Sequence, residues 1–177
     1  MKVLKFGGTS VGSSERMKHV ASLLTNNTDT QLVVLSAMSG TTNTLVEISD
    51  YLYKKNPEGA NTLINLLEQK YMKHVAELYS TEQWQKETTQ FLQNEFDYLR
   101  SFTKVHFTSF EEKVILAQGE IISTNMMTNY LKERNVKAIL LPALEMVRTD
   151  KNGEPDFNYI SEKIQHALKE NPGYDIY

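Results

Sequence analysis

The sequence contains no cysteine among its 177 residues. Without a thiol, the protein can form no disulfide framework, no thiolate nucleophile and no cysteine-ligated zinc site. A chain of this length does not need such cross-links, because a domain of about this size buries roughly 70% of the surface of its unfolded chain. The length therefore indicates one globular domain that is stabilised by its own core.

Excess positive charge and long apolar runs are also missing. The 19 Lys and Arg residues face 22 Asp and Glu residues, a net charge of −3, whereas nucleic acids and anionic membranes attract basic surfaces. The longest nearly apolar stretch, residues 138–144, is far shorter than the ~20 residues of a membrane helix. Only two apolar residues separate Lys2 from Lys5, too few for a signal-peptide core. We expect a cytoplasmic protein with no membrane or nucleic-acid partner.

The histidines do not suggest a metal site or a Ser-His-Asp site. They share no ligand spacing along the chain, and we expect them to be exposed or capping residues: His19, His74, His106 and His166.

The first part of the chain alternates between strand and helix signals. An apolar run over residues 2–6 ends in two glycines, and a helical stripe starts near Ser13. A continuous apolar run over residues 31–35 and a second helical stripe repeat the pattern. Such alternation predicts an α/β fold with a mostly parallel sheet.

The middle of the chain has a different pattern. Residues 58–104 carry two helical stripes, which predict a helical hairpin inserted between sheet elements, with a capping box at Ser80–Gln83. A long helix is predicted from about residue 110 to 134, opened by a capping box at Thr108–Glu111. A third strand over residues 136–141, a helix over 157–168 and the beginning of a strand at 174–177 complete the prediction.

The strongest chemical signal is the segment Lys5–Gly12. A strand leads into Gly7 and Gly8, and a helix begins shortly afterwards, an arrangement in which backbone N–H groups and a helix start can bind an anion. The Lys5 ammonium group could reach the same anion. The P-loop and dinucleotide motifs are both absent. The local alternative is an ordinary tight turn between strand and helix.

A second polar loop follows the next strand. Residues 36–43 contain four hydroxyl side chains and an amide, at the strand end where open α/β sheets bind ligands. These groups could hold carboxylate or phosphate oxygens, although helix capping and turns use the same residue types.

The third segment surrounds Gly119 and Glu120 in the long helix. A glycine inside a helix costs roughly 1 kcal/mol relative to alanine, which indicates a packing or close-approach role. Glu120 lies among apolar residues, and we expect it to be partly buried and to face a cation, either an internal Lys or Arg or a bound ammonium group.

These segments together resemble the amino-terminal part of the aspartokinases, in the amino acid kinase family. Lys5–Val11 matches the opening motif of that family, and Val33–Ala37 with Ser39, Gly40, Thr42 and Asn43 matches its second loop. Gly119, Glu120 and Ser123 match the third block, and Arg148–Thr149 fits the segment after it. The resemblance covers essentially residues 1–177 and implies a three-layer αβα sandwich, incomplete here, with the hairpin of residues 58–104 inserted.

The resemblance also implies a reaction. Aspartokinases phosphorylate the side-chain carboxylate of L-aspartate with ATP and Mg²⁺, the first step of lysine, threonine and methionine biosynthesis. Glu120 would bind the substrate ammonium group, and Ser36 and Thr42 would bind its carboxylates. The ATP phosphates would contact Lys5, which has the catalytic role, together with Phe6, Gly7 and Gly8.

The chain lacks the later blocks of the family, so we expect an amino-terminal fragment that is inactive alone and that forms a homo-oligomer through an exposed sheet edge. Two alternatives remain open. One is an amino acid kinase with another acceptor, and the other is a non-catalytic fragment that binds aspartate.

Overall fold

The computed structural model describes all residues, Met1–Tyr177. It contains two strands, seven α-helices and one 3-10 turn over Phe102–Lys104, in an order that begins with the predicted strand–helix alternation. The elements are β1 (Lys2–Phe6), α1 (Ser14–Thr25), β2 (Gln31–Leu35), α2 (Thr41–Tyr53), α3 (Pro57–Leu78), α4 (Glu82–Ser101), α5 (Ser109–Glu133), α6 (Ala143–Met146) and α7 (Phe157–Glu170).

The sheet is parallel, as predicted. Strand β1 pairs with β2 in a register that runs from Lys2 opposite Gln31 to Phe6 opposite Leu35. The last residues extend the sheet, because Ile176 forms parallel bridges with both Gln31 and Ala138. With helices packed against one face of this small sheet, the architecture is that of an incomplete αβα sandwich.

The predicted third strand over residues 136–141 is present only as the bridge at Ala138. The chain leaves α5 through Asn135, which has a positive φ of 58°, and the Ala138 amide then donates to Val136 O within the same segment. These local bonds and Pro142 leave little extended backbone to pair.

Helix caps explain where several helices begin. Ser13 accepts a hydrogen bond from the Arg16 amide before α1, and Thr108 forms the predicted capping box with Glu111 before α5. The capping box predicted at Ser80–Gln83 is wrong, because Glu133 of α5 accepts the bonds of the Ser80 and Thr81 amides and of the Thr81 hydroxyl.

The helical hairpin is part of the main core. Helix α3 packs against α1, α2 and α4, and α4 also packs against α5. Tyr71 of α3 and Phe96 of α4 are fully buried in the same hydrophobic cluster that includes Leu45 of α2 and Ile115 of α5. The hairpin is therefore not a separate body, and the boundaries of residues 58–104 as an insertion stay a prediction.

The two faces of the sheet differ in their cover. Leu4, Phe6 and Val33 pack against the helical core on one face. Val3 and Val34 are exposed on the other face, at 67% and 48%, and β1 pairs on one side only. No helix combines the length and the apolar character that crossing a bilayer requires.

Gly119 lets α5 approach the segment after β2. A Cβ at this position would lie 2.7 Å from the Ala37 Cβ and 3.2 Å from the Thr41 Cγ2. This is the close approach that the sequence predicts for a glycine inside a helix.

We therefore expect Gly119→Ala to destabilise the protein by about 1–3 kcal/mol, the usual cost of overpacking. The intrinsic helix preference alone would give about 1 kcal/mol of stabilisation instead. Chemical unfolding measures the change in the free energy of unfolding of Gly119→Ala relative to the wild type. Lys113→Ala, at an exposed position of the same helix, is the control. A Gly119→Ala protein as stable as the wild type would contradict the packing argument.

Candidate functional site

The carboxyl ends of β1 and β2 bring two loops together: the glycine loop (residues 7–13) and the hydroxyl loop (residues 36–43). The Ser39 hydroxyl donates to Gly8 O at 3.0 Å. A Cβ on Gly8 would lie 2.7 Å from the Ala37 carbonyl oxygen, and one on Gly12 would lie 2.5 Å from the Ser39 Oγ. The absence of side chains at both glycines therefore permits the loops to touch.

The glycine loop offers free hydrogen-bond donors. The amides of Gly7 and Gly8 donate to no other group of the protein. The Lys5 Nζ lies 3.7 Å from the position that a Cβ of Gly7 would take, so its ammonium group is directed at this turn. Lys5 is exposed and forms no ion pair. A cation and two free amides on one accessible turn are suited to bind an anion.

Phe6 lies at the junction between the loops and the core. Its carbonyl oxygen accepts the Ser36 amide at 3.0 Å, which continues the β1–β2 pairing into the hydroxyl loop. Its side chain packs partly against the core and, with Arg16 and His19 of α1, lines a cleft of about 450 Å³.

Ser36 and Thr42 both keep their hydroxyl groups free of hydrogen bonds to the protein, while the backbone around them is fixed. Ser123 of α5 donates to Ser36 O at 2.9 Å. Thr42 lies exposed in the first turn of α2, where the N-cap Gly40 has a left-handed φ of 81° and offers no side-chain acceptor. The start of α2 thus keeps unpaired amides beside the Thr42 hydroxyl.

Glu120 differs from the expectation in its exposure. Its side chain is exposed rather than partly buried, and it forms no ion pair with a Lys or Arg. Its Oε1 accepts the Ala37 amide at 3.2 Å, which connects α5 to the hydroxyl loop. The remaining acceptor positions of the carboxylate are available to a ligand. Of the two predicted cations, an internal Lys or Arg is absent, and a bound ammonium group stays a prediction.

Two residues of α3 that the sequence did not single out contact the hydroxyl loop. The Tyr71 hydroxyl lies 2.8 Å from the Thr41 Oγ1, and the Lys70 Nζ donates to Ser39 O at 2.9 Å. Burial raises the pKa of Tyr71 to about 12, opposed by the bond to Thr41 and supported by the charge of Glu120. The sequence signal for Tyr71 was only its place in an apolar stripe.

Arg148 forms no hydrogen bond or ion pair with either loop. Its guanidinium binds Asp156 at 2.7 Å and stacks over the Tyr159 ring at 3.9 Å. The bonds from the Tyr159 amide and from Arg148 lower the pKa of Asp156. The structure therefore uses Arg148 to join the segment after α6 to the start of α7.

A Ser–His–Glu cluster between α1 and α3 is not a hydrolytic triad. The Ser14 Oγ lies 2.9 Å from the His74 Nδ1, and the nearest Glu77 oxygen lies 3.8 Å from that same nitrogen. A triad needs its hydroxyl and its carboxylate on opposite ring nitrogens. Burial lowers the pKa of His74, which favours the neutral ring. The cluster fixes the start of α1.

A sequence profile described as the amino acid kinase family matches residues 1–174. Lysine-sensitive aspartokinase 3 of Escherichia coli is 29% identical over 168 residues, which are 90% of this chain and 35% of that protein. Aspartokinase 2, chloroplastic, of Arabidopsis thaliana is 31% identical over 149 residues, which are 81% of this chain and 27% of that protein.

Solved structures agree with these relatives. The E. coli aspartokinase III structure in complex with aspartate and ADP matches with a TM-score of 0.79 and 25% identity, over 99% of this chain and 40% of that one. Clostridium acetobutylicum aspartate kinase has the same fold, with a TM-score of 0.74 at 20% identity, over 99% of this chain and 38% of that one. The chain thus spans less than half the length of each of these relatives.

Proposed function

This chain belongs to the amino acid kinase family, and we propose that its two loops form the aspartate-binding part of an aspartate kinase. The reaction transfers the terminal phosphoryl group of ATP to the side-chain carboxylate of L-aspartate and gives 4-phospho-L-aspartate and ADP. The observation that carries the proposal is the contact between the loops, in which the Ser39 hydroxyl donates to Gly8 O at 3.0 Å. This bond keeps the free amides of the glycine loop beside the free hydroxyl groups of the hydroxyl loop.

The glycine loop binds the nucleotide phosphates in this proposal. The free amides of Gly7 and Gly8 donate to phosphate oxygens, and Lys5 supplies the positive charge beside them. Phe6 fixes the turn through its carbonyl bond to the Ser36 amide. Gly7 fits this role because the Lys5 Nζ is the only atom, apart from the neighbouring residues of the chain, within 4 Å of the position that its Cβ would take.

The hydroxyl loop and α5 bind the amino acid. Ser36 and Thr42 donate their unpaired hydroxyl groups to the carboxylates, and the free amides at the start of α2 add partial positive charge. Glu120 accepts the ammonium group of the substrate. The E. coli structure that bears aspartate and ADP supports this choice of ligands.

The chemistry needs no general base, because a carboxylate is already an ionised nucleophile at neutral pH. The obstacle is the repulsion between this anion and the triphosphate, which Lys5 and the glycine-loop amides offset. No cluster of three or more His, Asp or Glu side chains could hold a metal ion. Mg²⁺ carried by ATP would supply further positive charge at the phosphates.

Calorimetric titration of the 177-residue chain with L-aspartate, and separately with ATP and Mg²⁺, tests the proposal. We expect L-aspartate to bind and D-aspartate and L-glutamate to bind more weakly. The full product of the gene should release ADP in the presence of L-aspartate.

If a panel of carboxylates shows turnover with another acceptor, that acceptor would replace aspartate as the proposed substrate. Aspartate binding without any turnover by the full product would favour a non-catalytic binding module. Binding of neither ligand would refute the proposal.

We also propose that the protein acts in the biosynthesis of lysine, threonine and methionine in the cytoplasm.

Lys5→Ala should lower kcat of the full gene product at least ~100-fold, the scale for losing one oriented donor to the developing charge. Steady-state kinetics with saturating aspartate measures the effect. Lys2→Ala is the matched control, because Lys2 lies on the same strand and pairs with Asp29 instead. Near wild-type turnover of Lys5→Ala would remove Lys5 from the reaction.

Glu120→Gln should raise KM for aspartate about tenfold or more, because a charged hydrogen bond of about 1.5–3 kcal/mol is lost. KM for ATP should change little. Glu112→Gln is the control on the same helix, where the carboxylate binds the Tyr53 hydroxyl. An unchanged KM for aspartate would contradict the assignment of Glu120 to the ammonium group.

We propose that the protein forms a homo-oligomer through the open face and edge of β1, because unpaired strand edges associate with other chains. Light scattering at tens of micromolar should give a mass above that of one chain. Val3→Lys should reduce this mass, whereas Val105→Lys, an exposed valine outside the sheet, should not. A clean monomer at that concentration would refute the proposal.

A further inference from the structure

Tyr71 connects the hairpin to the start of α2. Its ring is fully buried and lies 5.9 Å from the Phe96 ring, measured between centroids. Its hydroxyl bonds the Thr41 Oγ1, which is itself fully buried. Thr41 directly precedes Thr42, and its methyl group packs on Gly119, the residue before Glu120. The bond between Tyr71 and Thr41 therefore fixes the backbone next to two proposed substrate contacts, Thr42 and Glu120.

Lys70 holds the other half of the hydroxyl loop. Its Nζ donates to Ser39 O and lies 3.8 Å from the position that a Cβ of Gly40 would take. Lys70 forms no salt bridge, unlike Lys73 on the same helix, which lies 3.8 Å from Glu77. A carbonyl oxygen is thus the acceptor that fixes this ammonium group.

The same face of α3 also holds the helix that follows the glycine loop. Ser14 bonds the His74 Nδ1 and a Glu77 carboxylate oxygen, and Lys18 donates to Glu77 O at 2.7 Å. Positions 70, 74 and 77 lie on one side of a helix because 3.6 residues make a turn. One helix face therefore contacts the hydroxyl loop at one end and the start of α1 at the other.

We propose that α3 is a positioning element that sets the aspartate-binding geometry through Tyr71 and Lys70. The two residues fix the hydroxyl loop relative to the glycine loop without touching the substrate. The identity of the ligand rests on the proposed function, whereas the positioning of the loop rests on the contacts of α3 alone.

Hydrogen exchange of the chain, followed by mass spectrometry, tests the positioning directly. The amides of Ala37, Thr41 and Thr44 each have a hydrogen-bond acceptor in or beside the loop and so report on its order. Tyr71→Phe and Lys70→Met should each raise their exchange rates about five- to tenfold, the effect of losing one hydrogen bond.

Two matched controls separate positioning from general stability. Tyr79→Phe removes another buried tyrosine hydroxyl, which donates to Met126 O at 2.8 Å. Lys73→Met removes an ammonium group on the same helix that does not reach the loop. Neither control should change exchange over residues 36–44. Unchanged exchange in Tyr71→Phe and Lys70→Met, or an equal rise in Tyr79→Phe, would overturn the proposal.

Aspartate affinity supplies the second readout. Tyr71→Phe and Lys70→Met should weaken L-aspartate binding about five- to tenfold and leave ATP binding unchanged. A looser loop with unchanged aspartate affinity would overturn the link to the substrate. A looser loop in a protein whose wild type binds no aspartate would support the positioning role and refute the proposed function, so the two failures are distinguishable.

Discussion

The contact between Ser39 and Gly8 is the constraint on which the rest of the site depends. A parallel sheet brings the carboxyl ends of its strands to one edge, but the loops that follow would normally be kept apart by their side chains. Here Gly8 and Gly12 have none, and the Ser39 hydroxyl occupies the space that a Cβ on Gly12 would need. The backbone amides of one loop and the hydroxyl groups of the other are consequently held at a fixed separation, which is what the proposed transfer between two bound anions requires.

Around that contact, three helices fix the second loop from different sides. Helix α5 approaches through Gly119 and bonds the loop with Ser123 and Glu120, α2 begins inside it, and α3 reaches it from the hairpin. The groups left unpaired are the ones that a ligand can use, namely the Ser36 and Thr42 hydroxyls and most of the Glu120 carboxylate. Side-chain bonds from α5 and α3 to the loop backbone therefore fix its position, whereas the Ser36 and Thr42 hydroxyls make no bond within the protein, an arrangement typical of preorganised sites.

Much of this could be predicted from the sequence, since local patterns specify it. The apolar runs and the glycines after them predicted β1, β2 and the glycine loop. The glycine inside a helix predicted the close approach at Gly119. One prediction failed because a distant residue decides: Glu133 of α5 replaces the expected cap before α4. The other failed for a local reason, because bonds within the segment reduce the third strand to the bridge at Ala138. The roles of Tyr71 and Lys70 could not be predicted, because an apolar stripe and a surface lysine carry no sign of the loop that they hold.

The central claim is that the two loops bind two different ligands side by side, and backbone nuclear magnetic resonance tests it most directly. With a ¹⁵N-labelled chain, ADP and Mg²⁺ should shift the Gly7 and Gly8 amide signals, and L-aspartate should shift those of Ala37, Thr42 and Asn43. When both ligands are present, the signals of both sets should be shifted. Shifts confined to other surfaces, or one shared set of shifts for both ligands, would contradict the account.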